Sequence, residues 1–198
     1  MYEEIVKACE SCQPFAQAPQ RSRVTGMRAT NFGDLWFVDH VDIGVDGHMY
    51  LVLVVVDAAS NLVWGGPQNT KLHDETVATM ALASDELMVK PKAICGDQYF
   101  MEPEFKKHYR YHNIKPIELG PHTPWPNRAE AAVKLFKHHA QILFHSIRLY
   151  EDQMPTLKLL TTRQVLRRCS WARNISVTYG GKPPLEIAPV RRPPESLH

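Results

Sequence analysis

Three acidic residues stand where a fold alone does not require them. Asp39 interrupts the apolar segment Trp36–Val41, Asp97 follows the short apolar segment 92–95, and Glu130 follows a loop rich in glycine and proline. A carboxylate inside a buried strand is costly unless it is paired or binds a metal ion. Because hard divalent cations prefer oxygen ligands, the three residues are candidate metal ligands and candidate catalytic residues.

The chemistry that such a set serves is phosphoryl transfer. Two divalent cations about 4 Å apart activate a water or hydroxyl and stabilise the leaving oxygen of an in-line displacement. Each carboxylate also has an ordinary interpretation: Asp39 as a water-facing residue of an edge strand, Asp97 as a turn former, and Glu130 as a first-turn acid stabilised by the helix dipole. The prediction therefore depends on the combination of the three.

Two neighbouring acidic residues are assigned to structure. Asp42 falls on the opposite face of an extended strand from Asp39 and precedes a turn. Asp57 ends an apolar run and opens the segment Asp57-Ala-Ala-Ser60, whose residue types are typical of turns.

The elements that must position the carboxylates follow from hydrophobic periodicity and turn residues. Turn chemistry at Asp46-Gly47 and in residues 57–61 predicts that the first three strands form an antiparallel meander. The predicted strands cover residues 35–43, 49–56, 62–65, 92–95 and 114–119, and the predicted helices cover 73–89, 102–111, 128–148, 157–174 and 183–187. This order of elements predicts an α/β fold.

The composition is that of a globular protein with a real core: 198 residues, 44% hydrophobic and 22% charged. The longest apolar run, Leu51–Val56, is far shorter than the ~20 residues of a membrane span, and the N-terminus has no apolar signal segment.

Four cysteines predict reduced thiols or a metal pair. Net charge is only +2, but seven Lys/Arg against two Glu after residue 160 indicate a polyanionic partner.

The predicted long helix has two distinct faces. Its polar face carries Glu130, Lys134, Lys137, Gln141, His145 and Arg148, at steps of three and four. Its apolar face carries Val133, Phe136, Ala140, Leu143 and Ile147 and is predicted to be core. The polar face has a simple alternative as a solvated surface. Because it begins at a candidate catalytic residue, we predict that it contacts DNA through Lys134, Lys137, Gln141 and Arg148. Asn127 is a further candidate, with helix capping as its other interpretation.

Five segments in order resemble the integrase core family of retroviruses and long-terminal-repeat retrotransposons. They are Cys9-x-x-Cys12-Gln13, Trp36-Phe-Val-Asp39, Leu51–Ser60, Ile94-Cys-Gly-Asp97-Gln98 with Phe105-Lys, and Pro121–Glu130 with Lys134 and Lys137. Residues 173–185 also resemble the segment that follows the core in Ty3/gypsy-type elements.

The resemblance implies an RNase H-like fold, with a five-stranded mixed sheet flanked by helices. It implies DNA 3′-end processing and strand transfer with Mg²⁺ or Mn²⁺, and Asp39, Asp97 and Glu130 as the catalytic and metal-binding positions. The implied partners are element ends, target DNA and further copies of the chain, in the nucleus. No membrane partner is expected.

The same resemblance divides the chain into three parts. Residues 1–25 are expected to be a remnant of a zinc-binding N-terminal domain with a linker, 26–150 the catalytic core, and 151–198 C-terminal helices with a basic tail. Zinc needs four ligands, and no histidine precedes Cys9. We therefore expect no structural zinc in this chain.

Two alternatives remain open. Only 32 residues lie between Asp97 and Glu130, fewer than the family usually has, and a one-residue shift turns a helical side chain by about 100°. This favours a non-catalytic, repurposed DNA- or protein-binding module. A nuclease of the same fold acting on RNA–DNA hybrids is the other alternative, which the Ty3/gypsy-like segment opposes.

Overall fold

A computed structural model describes residues 29–118, 127–176 and 182–188, with the backbone alone at Asn127 and Arg128. Its first three strands are β1 (Trp36–Val45), β2 (His48–Asp57) and β3 (Val63–Gln68), paired as an antiparallel meander. The β1–β2 connection is Asp46-Gly47, with φ of 48° and 78°. Both residues adopt the left-handed conformation that a two-residue hairpin turn requires, as the sequence predicted.

The remaining elements complete the predicted α/β fold. They are α1 (His73–Leu87), β4 (Ala93–Gly96), α2 (Pro103–Tyr111), β5 (Lys115–Glu118), α3 (Asn127–Tyr150), α4 (Thr162–Ser176) and α5 (Pro184–Ile187), with 3-10 turns at Tyr99–Met101 and Pro155–Leu159. The strand order is β3-β2-β1-β4-β5. β4 pairs in parallel with β1 and β5, so the sheet is mixed and β1 lies at its centre.

The side chains of β1 alternate between two hydrophobic cores. Phe37, Val41 and Ile43 face the core that α3 and α4 cover, whereas Trp36 and Val38 face the core that α1 and α2 cover. Asp39 shares the face of Phe37 and Val41 by the period-2 alternation of a strand. It therefore lies on the side of the sheet where α3 packs.

Helix α3 packs closely on the sheet. Its buried residues are Ala129, Ala132, Phe136, Ala140 and Phe144, and the predicted core residues Val133, Leu143 and Ile147 are partly buried beside them. A Cβ at Gly65 would lie 2.4 Å from the ring of Phe136. β3 therefore needs glycine at this position for the helix to approach.

The prediction of one helix over 157–174 is wrong. Residues Pro155–Leu159 form a 3-10 turn, Leu160 is extended, and α4 begins after it. The amide of Thr161 donates to Oε1 of Gln164 at 2.8 Å, and the amide of Gln164 donates to Oγ1 of Thr161 at 3.3 Å. This reciprocal capping box starts a new helix at that point.

The two outer strands of the sheet, β3 and β5, have different surroundings. At the β3 edge, Glu86 of α1 accepts a hydrogen bond from Trp64 Nε1 at 2.8 Å and pairs with Arg163 of α4 at 2.6 Å, so two helices meet around the edge. At the other edge, β5 has only four residues, one of which is Pro116. The amide of Lys115 donates to the carbonyl of Lys92 on the β4 side.

Several predictions fall outside the described residues: the linker, the cysteine pair Cys9 and Cys12, the loop 119–126 and the basic tail. The three-part division of the chain and the absence of zinc remain predictions. In the part of the chain that the structure covers, no helix is both long and apolar enough to cross a membrane. Cys95 and Cys169 are buried free thiols, and burial raises their pKa to about 11 and about 12.

Candidate active site

The sheet brings Asp39 and Asp97 together. In the parallel ladder between β1 and β4, Phe37 lies opposite Cys95. Continuing this register by two residues places Asp39 opposite Asp97, which directly follows the last residue of β4. The pair therefore lies at the centre of the sheet, where β4 ends and β1 continues.

The electrostatics of Asp39 confirm this proximity. Burial, and then the negative charge of Asp97, raise the pKa of Asp39 from 3.8 to about 6. The backbone amide of His40 and the positive charge of Lys71 act in the opposite direction. A partly buried carboxylate beside a second negative charge is an arrangement that a divalent cation between the two groups would relieve.

Asp97 is exposed and its carboxylate is oriented from within its own loop. The amide of Tyr99 donates to Oδ1 of Asp97 at 3.1 Å. The ring of Tyr99 packs against His40, with ring centroids 5.2 Å apart. Tyr99 therefore contacts Asp97 through its amide and, through its ring, contacts His40, the neighbour of Asp39 in β1.

Glu130 is separate from this pair. It lies in the first turn of α3, and its Oε1 is 2.6 Å from Nζ of Lys134, four residues later. Within the described residues, no group of three or more His, Cys, Asp or Glu side chains is arranged to hold a metal ion. The structure thus places two of the three predicted carboxylates together and holds the third in an ion pair.

The direction of α3 nevertheless places Glu130 toward the half of β1 that contains Asp39. Near the other end of the helix, Gln141 donates to the carbonyl of Gly44 at 3.1 Å and Arg148 to that of Val45 at 3.2 Å, both late in β1. Eighteen helical residues span about 27 Å. The N-terminal end of α3 therefore lies toward the half of β1 that contains Asp39.

The residues fit a divalent cation in their chemistry. Asp39 and Asp97 offer oxygen ligands at one point, and burial together with the charge of Asp97 raises the pKa of Asp39 there. The carboxylate of Glu130 is occupied by its ion pair with Lys134. That ion pair is exposed, with 44% of the Glu130 side chain accessible, so opening it costs little.

The predicted DNA-binding residues divide into two groups. Lys134 is exposed at 68% and pairs with Glu130, and Lys137 lies one turn further on. Gln141 and Arg148 instead hold the β1–β2 hairpin: Arg148 also donates to the carbonyl of Asp46 at 3.1 Å and to the hydroxyl of Tyr50 at 3.2 Å. DNA contact remains a prediction for all of them. Asn127 begins α3, and its side chain is outside the described residues.

The assignment of Asp57 to structure is confirmed. Its buried carboxylate accepts the amides of Gly33, Ala59 and Ser60 at 2.8–3.1 Å and the hydroxyl of Ser60 at 2.8 Å. Asp42 is exposed and pairs with Lys71, with Nζ and Oδ2 3.6 Å apart.

Sequence reasoning did not single out Lys71 and Tyr99 as neighbours of the candidate aspartates. Lys71 comes from the loop before α1, and its charge acts on both Asp39 and His40. No local pattern marks it, because its closeness to the aspartates depends on how β3 and α1 are placed in the fold. Tyr99 had a detectable signal, an aromatic residue two positions after a candidate metal ligand.

Comparisons with solved structures identify the fold. The HTLV-2 integrase catalytic core domain in complex with magnesium aligns with a TM-score of 0.62 at 20% sequence identity, over 81% of this chain and 99% of that one. The simian T-cell lymphotropic virus intasome in complex with the PP2A regulatory subunit B56 gamma gives 0.67 at 19% identity, over 97% and 67%. The BIV integrase catalytic core domain gives 0.58 at 17% identity, over 79% and 93%.

No family model matches the sequence, and no curated protein does. The structural matches nevertheless define the class of fold: a five-stranded mixed sheet with flanking helices, RNase H-like, as in retroviral integrase catalytic cores. The predicted fold class and the predicted resemblance are confirmed at this level.

Proposed function

We propose that this chain is an integrase-type polynucleotidyl transferase that processes DNA 3′ ends and joins them to target DNA. The observation that carries the proposal is the pairing of Asp39 with Asp97 at the centre of an integrase-core fold. Two facing carboxylates, one of them partly buried, are costly to a fold and useful to a metal-dependent reaction.

The proposed reaction is phosphodiester hydrolysis followed by transesterification, with Asp39, Asp97 and Glu130 as ligands for Mg²⁺ or Mn²⁺. When bound, the cations would activate the attacking oxygen and stabilise the leaving one. The chain itself holds the two aspartates in register through β1 and β4. It supplies Lys134 and Lys137 beside Glu130 for strand phosphates.

The partners follow from the same proposal. The solved neighbours include dimeric and trimeric integrase cores and an intasome. We propose that this chain also self-associates and acts on element ends and target DNA, which requires access to the nucleus.

The test is strand joining on a short labelled duplex with Mn²⁺, together with the reverse reaction on a branched substrate. We expect metal-dependent activity that Asp97→Asn abolishes, because the substitution removes one ligand charge while keeping the shape. Asp85→Asn, an exposed aspartate on α1, is the matched control and is expected to retain activity. Activity that is equal in wild type and Asp97→Asn would contradict the proposal.

A second candidate function has one specific observation in its favour. Glu130 is in an ion pair with Lys134, and within the described residues no group of three potential metal ligands is formed. A folded chain that binds DNA but joins no strands in either assay would favour a non-catalytic, repurposed DNA-binding module.

A further inference from the structure

We infer that Lys71 is a DNA-contacting residue of the candidate active site, binding a strand phosphate beside Asp39 and Asp97. Its loop, residues 69–72, is held in place by Glu75 and Tyr99. The inference rests on the proposed function and adds a substrate-binding residue to the same site.

The loop is fixed from the α1 side. The carboxylate of Glu75 accepts the amide of Asn69 at 2.7 Å, the amide of Thr70 at 2.9 Å and the hydroxyl of Thr70 at 2.6 Å. These hydrogen bonds hold the backbone that leads into Lys71. They also lower the pKa of Glu75, so the carboxylate stays ionised and remains an acceptor.

The loop is also fixed from the β4 side, by Tyr99. The hydroxyl of Tyr99 donates to the backbone carbonyl of Lys71 and contacts Oγ1 of Thr76 at 3.2 Å. The amide of the same tyrosine donates to Asp97. Tyr99 therefore links the backbone of Lys71 directly to a candidate metal ligand and fixes the spacing between them.

The side chain of Lys71 remains available. Among the described residues its ion pair is with Asp42, with Nζ and Oδ2 3.6 Å apart and the two side chains 51% and 54% exposed. Exposed ion pairs of this kind are weak because water and salt screen them. A strand phosphate can therefore replace Asp42 without breaking a buried interaction.

A positive side chain at this position favours phosphate binding to the metal-free chain for a physical reason. The paired aspartates repel an approaching phosphate, and the charge of Lys71 already reaches Asp39, where it opposes the effect of Asp97. A lysine on a fixed loop offsets that repulsion and orients the strand at low entropic cost.

The experiment measures binding of the full chain to a short fluorescein-labelled branched duplex in EDTA, as a function of salt concentration. We expect Lys71→Gln to weaken binding and to reduce the slope of log affinity against log salt by about 0.9, the value of one phosphate contact. Lys92→Gln is the matched control, because Lys92 is an exposed lysine that also pairs with a surface aspartate, Asp34. Its slope is expected to equal that of wild type, and both variants should melt at the wild-type temperature.

A double-mutant cycle separates a specific contact from general charge. Asp42→Asn is expected to tighten binding by releasing Lys71, and this gain should shrink when Lys71→Gln is also present. Tyr99→Phe keeps the ring and loses the hydroxyl, so it is expected to weaken binding only when Lys71 is present.

The outcomes are distinguishable from those of the proposed function. An unchanged salt slope for Lys71→Gln, or an Asp42→Asn gain of equal size in both backgrounds, overturns the inference alone. Wild-type chain that binds the duplex with the expected Lys71 dependence but joins no strands overturns the catalytic proposal and leaves the contact established. Wild-type chain that does not bind the duplex overturns both.

Discussion

At the scale of single residues, Asp39 is a candidate ligand whose position lowers the stability of the fold at neutral pH. Its carboxylate is partly buried in the central strand and faces Asp97, and its pKa is raised to about 6. The folded state therefore binds a proton more tightly than the unfolded chain does. By linkage, the contribution of Asp39 to stability is most favourable below the unfolded pKa of 3.8 and is lost as pH rises through about 6.

This predicts that Asp39→Asn stabilises the chain at neutral pH. The neutral amide avoids the cost of ionisation, so the free energy of unfolding at about pH 7 is expected to increase by roughly 1–3 kcal/mol. The gain should fall toward zero at about pH 4, where the wild-type carboxyl is itself protonated. Urea unfolding at both pH values measures it in metal-free buffer.

The matched control is Asp85→Asn, on the exposed surface of α1, for which little change is expected at either pH. A destabilised Asp39→Asn, or a gain that does not depend on pH, would contradict the interpretation of Asp39 as a strained carboxylate.

The individual site residues were predictable to different degrees. Asp39 and Asp97 could be singled out as candidates from sequence because each has an unusual local setting, within or just after an apolar strand, and the structure places them together. The state of Glu130 could not be predicted, since its ion pair with Lys134 and a clustering with the aspartates both agree with the same helical spacing. Lys71 was not detectable, because long-range packing alone brings it to the site.

At the scale of elements, α4 is hydrogen-bonded to the start of β3 and the turn before it through buried polar side chains. Arg173 is fully buried and donates to the carbonyl of Asn61 at 2.6 Å and to Oδ1 of Asn174 at 3.0 Å. Asn174 in turn bonds both the amide and the carbonyl of Val63, at 2.9 and 2.8 Å. The end of α4 therefore satisfies the backbone of the β2–β3 turn and the start of β3.

We predict that Arg173→Ala destabilises the chain by roughly 2–4 kcal/mol, because it leaves a cavity and removes the buried donor of the Asn61 carbonyl. Arg168→Ala, at an exposed position of the same helix, is expected to change the free energy of unfolding by less than about 0.5 kcal/mol. Chemical denaturation of both variants measures the difference. Equal effects would show that Arg173 contributes only through helix propensity.

The elements themselves were largely predictable because their patterns are local. The Asp46-Gly47 hairpin and the alternation in β1 follow from backbone conformation and strand periodicity. The break before α4 was also encoded locally, in the Thr161–Gln164 capping box, and was missed because the apolar spacing continues across it. The hairpin contacts of Gln141 and Arg148 depend on tertiary packing and have no local signal.

At the scale of the whole molecule, the sheet separates two surfaces with different expected roles. The layer of α3 and α4 carries Lys134 and Lys137 beside the candidate site, whereas the layer of α1 and α2 carries the exposed lysines Lys106 and Lys107 on the other side. A DNA duplex at the site would meet the first pair and not the second.

We therefore predict that Lys134→Glu with Lys137→Glu weakens DNA binding by at least about tenfold at low salt, because two phosphate contacts become repulsive. Thermal stability should change little, since Lys134 is exposed and Lys137 is only half-buried. Lys106→Glu with Lys107→Glu makes the same change of charge on the opposite layer and is expected to bind DNA almost as wild type does. Fluorescence anisotropy and thermal melting measure both pairs, and equal losses of binding would indicate a general charge effect.

The outer edge of β5 offers few groups for pairing with a strand of another chain. Because the amide of Lys115 points toward β4, the next amide position points outward, and there the chain has Pro116, which has no N–H. The amide two residues before Pro116, at Ile114, already donates to the carbonyl of Tyr109. Within the strand this leaves Glu118 as the outward donor, too little to pair with a strand from another chain. Pairing with a strand of another chain is thereby disfavoured at this edge of the sheet.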